Sequence, residues 1–463
     1  MVQRKHGCAA LALLALLGAC SVGPDYERPA VTNPDAWSAD IAAHETESAP
    51  WPSQEWWRAF HQPDLDRYME LARTANPDVA AAVARVRQAN AQAQIAGASL
   101  LPALSAGLAQ EGSRARPGTD PGAIQTAASL SATYELDFWG RYADRSAAAL
   151  AAAQSSRFAR ETTALTVAAD IAGTYFSLIA LQDRIAVARD NIANAEGTLA
   201  AIRARAEAGT LSALDLAQQQ SLVAVQRAAL PPLVQLLRQA TGALAILSGQ
   251  LPESVTAAQG SLNRLTVPVV APGLPSELLA RRPDVADAEA QLIGANADIR
   301  AAIAAWYPDI ALTADGGGVS PAISKVLRSS SANFYTLAAS VTQPLFSGGA
   351  IEGGIELSKG RYDELSANYR KAVLSAFADV ETALTGVKNA ADLETEQQAA
   401  ADTAQRAYDI AQSQFANGTI DVLVLLTTQQ ALFQAKDALI QARLTHAQAA
   451  VGLFRALGGG WRI

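Results

Sequence analysis

The chain has 463 residues and a net charge of −8, with 50% hydrophobic, 17% charged and only 6% aromatic residues. This composition is too apolar for a disordered protein, and the acidic balance argues against binding nucleic acid through its phosphates. Alanine makes up about a fifth of the chain. An alanine-rich sequence with few large side chains predicts long helices that pack closely on small residues.

The sequence offers no evident chemistry for a metal site, a cofactor or catalysis. Its two cysteines, Cys8 and Cys20, both lie within the first twenty residues, and its four histidines are scattered. We therefore expect no zinc site, no cofactor and no disulfide in the rest of the chain. The motifs of common nucleophilic, phosphate-binding and zinc-dependent enzymes are also missing, so the sequence does not predict an enzyme.

The N-terminus has the layout of an export signal. A basic start is followed by an apolar stretch that is too short to span a bilayer as a helix, and then by Leu17-Gly18-Ala19-Cys20. This tetrapeptide resembles the bacterial lipobox, in which the cysteine becomes the first mature residue and carries lipid. We therefore expect removal of residues 1–19 and lipidation of Cys20. The alternative is an ordinary cleaved signal with an incidental cysteine.

Two proline-free windows, 122–230 and 345–463, predict very long helices, because proline costs about 3 kcal/mol inside a helix. A helix from about Tyr142 to Ala208 would be ~100 Å long, which indicates an extended protein. Coiled-coil spacing supports this prediction. Apolar residues recur every seven positions in the first window, at Ile171, Leu178, Ile185, Ile192 and Leu199.

The chain also repeats itself. Asn76-Pro77-Asp78-Val79 matches Arg282-Pro283-Asp284-Val285, and Gly209-Thr210 matches Gly418-Thr419. Each repeat is expected to contain a helix, two short strands, a very long helix, a reversal at glycine and a returning helix. The expected division is a signal peptide at 1–19, a lipidated N-terminal segment at 20–75, repeat 1 at 76–250, a linker at 251–281 and repeat 2 at 282–463.

Alternating polarity predicts four strands, at 102–110, 128–138, 308–315 and 334–346. In the second strand, Leu130 and Tyr134 share one face, while Glu135 and Asp137 share the other. A membrane β-barrel strand needs such an apolar face for lipid and a polar face for the lumen, although half of a soluble sheet has the same pattern. Glu135 and Asp137 are therefore candidate pore-facing residues.

Four strands cannot close a barrel, and an open sheet edge in lipid leaves backbone groups unpaired. If these strands lie in a membrane, several chains must share one barrel, and three chains would supply twelve strands.

The chain resembles the TolC-like outer-membrane efflux channels, and specifically the NodT-like lipoprotein branch of tripartite multidrug efflux systems. The matching motifs span nearly the whole mature chain: Cys20-Ser21-Val22-Gly23-Pro24-Asp25-Tyr26, Trp56-Trp57, Asn76-Pro77-Asp78, Arg281-Arg282-Pro283-Asp284 and Leu457-Gly458-Gly459-Gly460-Trp461.

The resemblance implies a mainly α-helical fold with membrane β-structure. A homotrimer would form a 12-stranded β-barrel, with four strands per chain, continuous with a long α-helical periplasmic barrel. Such a channel would sit in the outer membrane and export small molecules. Its implied partners are a periplasmic adaptor (membrane fusion) protein and an inner-membrane pump of the resistance–nodulation–division type.

The resemblance also implies that the two helix reversals lie at the periplasmic tip of the channel. The candidate tip or gate residues are Gly209, Asp215, Gly418, Asp421 and Leu423. Related channels carry an Asp and an Arg after the second reversal, where this chain has Thr427 and Gln430. We therefore expect Leu423, with Asp215 or Asp421, to hold the closed state. The alternative is that these carboxylates are solvated charges at helix ends.

Two further expectations concern residues that could be mistaken for sites. Arg281 and Arg282 are expected to have a structural role rather than to bind an anion, and Trp56 and Trp57 are expected to pack in a core. The rival to the channel is a lipid-anchored periplasmic coiled-coil adaptor or structural protein. That class would share the helices and the anchor, but it would not need four strands with lipid-compatible faces.

Overall fold

The computed structural model describes residues 22–31, 37, 51–112, 124–255, 260–270, 275–321 and 333–461. The predicted signal peptide and Cys20 lie outside the described residues. The elements in chain order are a 3₁₀ turn (Trp56–Phe60), α1 (Pro63–Ala75), α2 (Pro77–Ala98), β1 (Ala103–Gly112), β2 (Ile124–Leu136), α3 (Arg141–Glu207), α4 (Ala213–Ser248), two 3₁₀ turns (Pro252–Ser254 and Leu262–Arg264), α5 (Pro275–Leu278), α6 (Pro283–Ala304), β3 (Asp309–Ser320), β4 (Asn333–Thr342), α7 (Ala350–Ala416) and α8 (Val422–Ala456).

The long helices have the predicted extents. Helices α3 and α7 contain 67 residues each, and the predicted boundaries of α3 are correct to one residue at each end. Each helix reverses at a glycine into a shorter returning helix, α4 with 36 residues and α8 with 35. The two repeats therefore contain the same elements in the same order.

Helix α4 continues through two consecutive prolines, Pro231 and Pro232. Proline removes a backbone donor and crowds the preceding turn, so this passage is unfavourable for an isolated helix. Apolar residues before and after the two prolines pack against α3 and offset this cost. Leu230, Leu233, Val234 and Leu237 contact an apolar row of α3 formed by Leu181, Ile185 and Ala188.

The chain divides into two compact units. Unit 1 consists of residues up to Ala30, Arg85–Arg157 and Asp287–Lys371, and unit 2 consists of Val31–Ala84, Phe158–Ala286 and the residues from Ala372 onward. Unit 1 contains the sheet, and unit 2 contains both helix reversals.

The sheet of unit 1 is antiparallel throughout, in the order β1-β2-β3-β4. Its central pair, β2 and β3, joins the two repeats, with Ser131 opposite Asp315 and Tyr134 opposite Leu312. The segments that connect the strands within each repeat, 113–123 and 322–332, lie outside the described residues.

All four predicted strands are present, but their predicted ends are not all correct. Strand β2 ends at Leu136, so Asp137 and Phe138 follow the strand rather than belong to it. The reason is local: Asp137 accepts a hydrogen bond from the backbone N–H of Ala143 at 2.7 Å, in the first turn of α3. Strand β3 is longer than predicted because it continues through Gly316-Gly317-Gly318 to Ser320.

Aromatic rings form the core of unit 2 where the repeats begin and end. The Trp56 ring stacks on Phe454 with centroids 4.9 Å apart, and Phe60 lies 4.9 Å from Phe176. Trp56 and Trp57 are both buried. These two residues therefore pack in a core, as the sequence predicted.

Within unit 2, the start of each repeat is tied to the end of the same repeat. The Asn76 amide donates to the carbonyl oxygen of Leu247 at 2.7 Å, near the end of α4. The Arg282 guanidinium donates to the carbonyl oxygen of Ala456 at 3.3 Å, at the end of α8. The expected structural role of Arg282 is thus confirmed.

Candidate functional site

The strand register gives the sheet one apolar and one polar face. One row on the polar face runs across all four strands through Ser105, Ser131, Asp315 and Thr336. The row beside it on the opposite face runs through Leu104, Ala132, Ala314 and Leu337. Side chains alternate between faces along a strand, so every leucine of the four strands lies on the apolar face, which also carries the polar pair Thr126 and Ser320.

Every carboxylate on the four strands lies on the polar face. These carboxylates are Glu111, Glu135, Asp309 and Asp315. The four strands contain no lysine or arginine. The polar face of the sheet is therefore acidic.

Two of these carboxylates are paired with the first turn of α3. Glu135 accepts a hydrogen bond from the Tyr142 hydroxyl at 2.6 Å. Asp309 forms an ion pair with Arg141 at 3.1 Å. In the part of the chain that the structure describes, Asp315 has no cation within ion-pair distance.

Sequence reasoning missed Asp315 although it saw the alternation in β2. The predicted third strand ended at this residue, and the glycine triplet that follows was expected to be loop. Because β3 continues through the triplet, Asp315 is an interior strand residue with a defined face. Its even spacing of six residues from Asp309, which puts both carboxylates on one face of a strand, was the signal that could have identified it.

The edge strands of the sheet are exposed along their whole length. All ten residues of β1 and all ten of β4 are solvent-exposed on both faces. The apolar face includes large exposed side chains, among them Leu104, Leu108, Leu337 and Val341 at 61–76% exposure. Such a surface does not match a soluble sheet that buries one face in its own core.

The two helix reversals have nearly the same geometry. Gly209 and Gly418 adopt left-handed φ angles of 76° and 73°, and both would have open space around an added Cβ. The amide N–H of Thr210 donates to Arg205 O, and that of Thr419 donates to Gln414 O, both at 2.9 Å. This is the Schellman arrangement that ends a helix at a glycine. The repeat seen in the sequence is therefore also a repeat of turn structure.

The two tip carboxylates each cap a returning helix. Asp215 accepts hydrogen bonds from the backbone N–H and hydroxyl of Ser212 at 2.9 and 2.8 Å, completing a capping box at the start of α4. Asp421 is the N-cap of α8 and accepts from the N–H of Leu423 at 3.4 Å. Each carboxylate thus has a local partner in the chain. Leu423 itself is 54% exposed.

Apolar residues next to the two helix reversals pack into one cluster. Phe415, Val422 and Leu425 are buried in it together with Ile202 of α3. Gln429 is fully buried next to this cluster, 3.4 Å from Thr198 Oγ1 and 3.5 Å from the Tyr408 hydroxyl. The reversals are therefore built on a fixed core shared by the two helical hairpins, α3–α4 and α7–α8.

In unit 1, the segment nearest to the predicted lipidation site is attached to α6. Arg28 forms a double hydrogen bond to the Glu289 carboxylate at 2.6 and 2.7 Å. Asn296 donates to Pro24 O at 3.2 Å, and Gly23 lies against Arg300 and Ile303. The chain therefore runs along α6 towards its C-terminal end as it approaches residue 20.

The whole chain matches known proteins. The family model described as outer membrane efflux protein matches residues 68–250 and 274–459. The chain belongs to the outer membrane efflux protein family. It is 39% identical to the pyoverdine export outer membrane protein OpmQ of Pseudomonas aeruginosa, over 96% of this chain and 95% of that protein. It is 36% identical to OpmQ of Pseudomonas putida, over 100% and 99%.

Comparison with solved structures agrees with this family assignment. The open-state crystal structure of the Neisseria gonorrhoeae MtrE outer membrane channel superposes with a TM-score of 0.87 at 27% identity, covering 95% of this chain and 98% of that one. The predicted fold class, outer-membrane location and channel function are therefore confirmed, and the chain is an outer-membrane efflux channel rather than an enzyme. This family membership also excludes the rival interpretation as a periplasmic adaptor.

Proposed function

We propose that three copies of the chain form one channel, in which each sheet supplies four strands of a shared 12-stranded barrel. The observation that carries this proposal is the open four-stranded sheet whose two edge strands are exposed throughout. Edges in lipid must be paired, because each unpaired backbone group costs several kcal/mol. Pairing β1 of one copy with β4 of the next removes every edge.

In this barrel the apolar face meets lipid and the acidic face lines the lumen. A membrane β-barrel places alternate side chains towards lipid and lumen, and this sheet separates its leucines from its carboxylates in that way. Glu135 and Asp315 then face the pore. Asp137, which follows β2, lies at the mouth where the strand passes into α3.

The channel exports small molecules that an inner-membrane pump delivers. Its partners are a periplasmic adaptor protein and a pump of the resistance–nodulation–division type, as the family resemblance implies. Two relatives carry names that assign them to pyoverdine export. A pyoverdine-type siderophore is therefore the first cargo to test.

Cys20 carries the lipid that anchors the chain from its N-terminus. The lipobox-like sequence supports lipidation at Cys20. The attachment of residues 23–28 along α6 in unit 1, the helix that leads into β3, also supports it. Cys20→Ser should abolish labelling by radioactive palmitate. The protein should still require detergent for extraction, because the barrel inserts by itself.

The reversals at Gly209 and Gly418 form the periplasmic tip, and Leu423, with Asp215 or Asp421, narrows its opening. In a trimer each of these residues is present three times around one axis. Rings of apolar side chains can close a pore by excluding water, and rings of carboxylates favour cations.

The test of the channel proposal is the mass and conductance of the purified protein. Light scattering in detergent should give three chains per particle, and the trimer should migrate as a heat-sensitive band on a gel. Planar bilayers should show discrete conductance steps. A Cys20→Ser protein that is monomeric and soluble without detergent would contradict the proposal.

A further inference from the structure

The side chain of Arg205 lies at the end of another helix. Arg205 is in the last turn of α3, four residues before the reversal at Gly209. Its Nη1 donates to Phe415 O and its Nη2 donates to Ala416 O, both at 3.0 Å. The first hairpin therefore caps the last residues of α7, in the second hairpin.

The contact is well suited to a helix C-terminus. The last carbonyls of a helix have no partner within it, and the helix dipole favours a cation at this end. The planar guanidinium carries two parallel donors, which match the two carbonyls of Phe415 and Ala416. The guanidinium carbon also lies 4.5 Å from the centroid of the Phe415 ring, within the range of a cation–π contact.

Among the described residues, no side chain of the second repeat caps the end of α3 in the same way. The residue equivalent to Arg205 is Gln414, since both main-chain carbonyls accept from the threonine after the glycine. The two backbones therefore behave alike, while the charge is present in the first repeat only. A glutamine cannot supply a cation to a helix end. This contact with the end of the neighbouring helix is thus made in one direction, by Arg205.

The remaining contacts around the tips are of a different kind. The capping bonds of Asp215 and Asp421 lie within their own returning helices. The apolar cluster reaches both turns through Leu211 and Ile420, but these contacts are non-directional packing. Arg205 acts on the turn directly, because it holds the two residues that precede Asn417 and Gly418.

We propose that Arg205 is a positioning residue of the gate, which keeps the second hairpin tip against the first and so holds the periplasmic end closed. The inference rests on the proposed function, because only a channel has an end to close. It adds a residue that neither the gate motif of related channels nor the tip sequence singles out. Opening the tip then requires both carbonyls to leave the guanidinium.

The experiment compares Arg205→Met with Arg203→Met. Arg203 is on the same helix, two residues earlier, and is exposed, so both variants lose one positive charge at the tip. In planar bilayers we expect Arg205→Met to raise the open fraction about tenfold, since charged hydrogen bonds are the stronger class. Arg203→Met should behave like the unaltered protein. Cells that produce Arg205→Met should become sensitive to vancomycin, which the outer membrane normally excludes.

Arg205→Lys gives a second, milder variant. It keeps the charge but cannot present two parallel donors, so its open fraction should lie between those of the unaltered protein and Arg205→Met. It also keeps the test valid if Arg205→Met does not assemble.

Three outcomes overturn the inference. The first is an assembled Arg205→Met or Arg205→Lys trimer with unaltered conductance. The second is an equal effect of Arg203→Met, which would mean that tip charge in general controls the pore. The third is the absence of conductance from every protein, including the unaltered one, which would contradict the proposed channel function itself.

Discussion

Asn76 and Arg282 occupy equivalent positions of the two repeats and perform the same task with different chemistry. Each donates a hydrogen bond to a main-chain carbonyl near the end of its own repeat, Asn76 to Leu247 O and Arg282 to Ala456 O. Asn76 also caps α2 by accepting from two backbone N–H groups, whereas Arg282 is held by two carboxylates, Asp284 and Asp379. Burial opposes the charge of Arg282, but these carboxylates outweigh it and raise the pKa of the guanidinium.

Replacing Asn76 should reveal both of its hydrogen-bonding roles. Asn76→Ala loses the cap and the tie to Leu247, and should lower the free energy of unfolding by about 2 kcal/mol. Asn76→Asp keeps the cap but sets an oxygen against the Leu247 carbonyl, so it should be at least as destabilising. Asn417→Ala, at an exposed position, serves as the control, and the loss of helical circular dichroism on heating is the measurement. A fully stable Asn76→Asp would mean that capping alone matters.

The glycines at the repeat ends should be far less tolerant than those at the tips. An added Cβ at Gly249 would overlap with the Ala75 carbonyl oxygen, and one at Gly458 would overlap with that of Arg281. At Gly209 only the left-handed φ is unfavourable, so Gly209→Ala should cost about 1 kcal/mol. We expect Gly249→Ala to prevent trimer formation on a gel, while Gly209→Ala assembles. Equal yields of both trimers would contradict this prediction.

Asp315 should set the charge preference of the barrel. Asp315→Asn removes the carboxylate in the middle of β3, so the ratio of potassium to chloride permeability should fall about twofold. The reversal potential across a bilayer in a potassium chloride gradient measures this ratio. Glu253→Gln makes the same change of charge in a 3₁₀ turn of unit 2, outside the strands, and should leave the ratio unaltered. An unaffected Asp315→Asn would indicate that this face does not line the pore.

The choice of substitution can distinguish the proposed gate role of Leu423 and Asp421 from a helix-capping role. Leu423→Ala should increase single-channel conductance, because it shortens an exposed apolar side chain at the tip. Asp421→Asn keeps an N-cap acceptor without the charge, whereas Asp421→Ala loses both and should cost about 1 kcal/mol of stability. A change of conductance in both Asp421 variants would indicate that the charge of Asp421 controls the pore. Unchanged conductance in Leu423→Ala and Asp421→Ala would exclude these residues as the gate.

The sequence was sufficient for the large elements because their signals are long and redundant. Proline-free windows, a seven-residue period and glycine reversals all indicated α3, and its observed ends differ from the predicted ones by one residue. The ends of the strands were harder to predict, because alternating polarity does not show where the pairing between strands stops. Asp137 continues the polar alternation of β2, but it accepts a hydrogen bond from α3 and lies outside the ladder.

Residues whose role depends on distant contacts could not be found in the same way. Asp315 pairs with Ser131, which lies in the other repeat, and the sequence does not show this pairing. Arg205 looks like an ordinary basic residue in the last turn of a helix, and 210 positions separate it from Phe415. No local pattern in the sequence connects residues so far apart, although the fold brings them together.

The exposed edges of the sheet also affect how a single chain behaves before assembly. With β1 and β4 both unpaired, a lone copy presents two templates for any other extended segment. Such a species is prone to aggregation and accessible to proteases. Folding of the strands and association of the copies are then one event, and the cell must keep newly exported chains apart until three of them meet at the membrane.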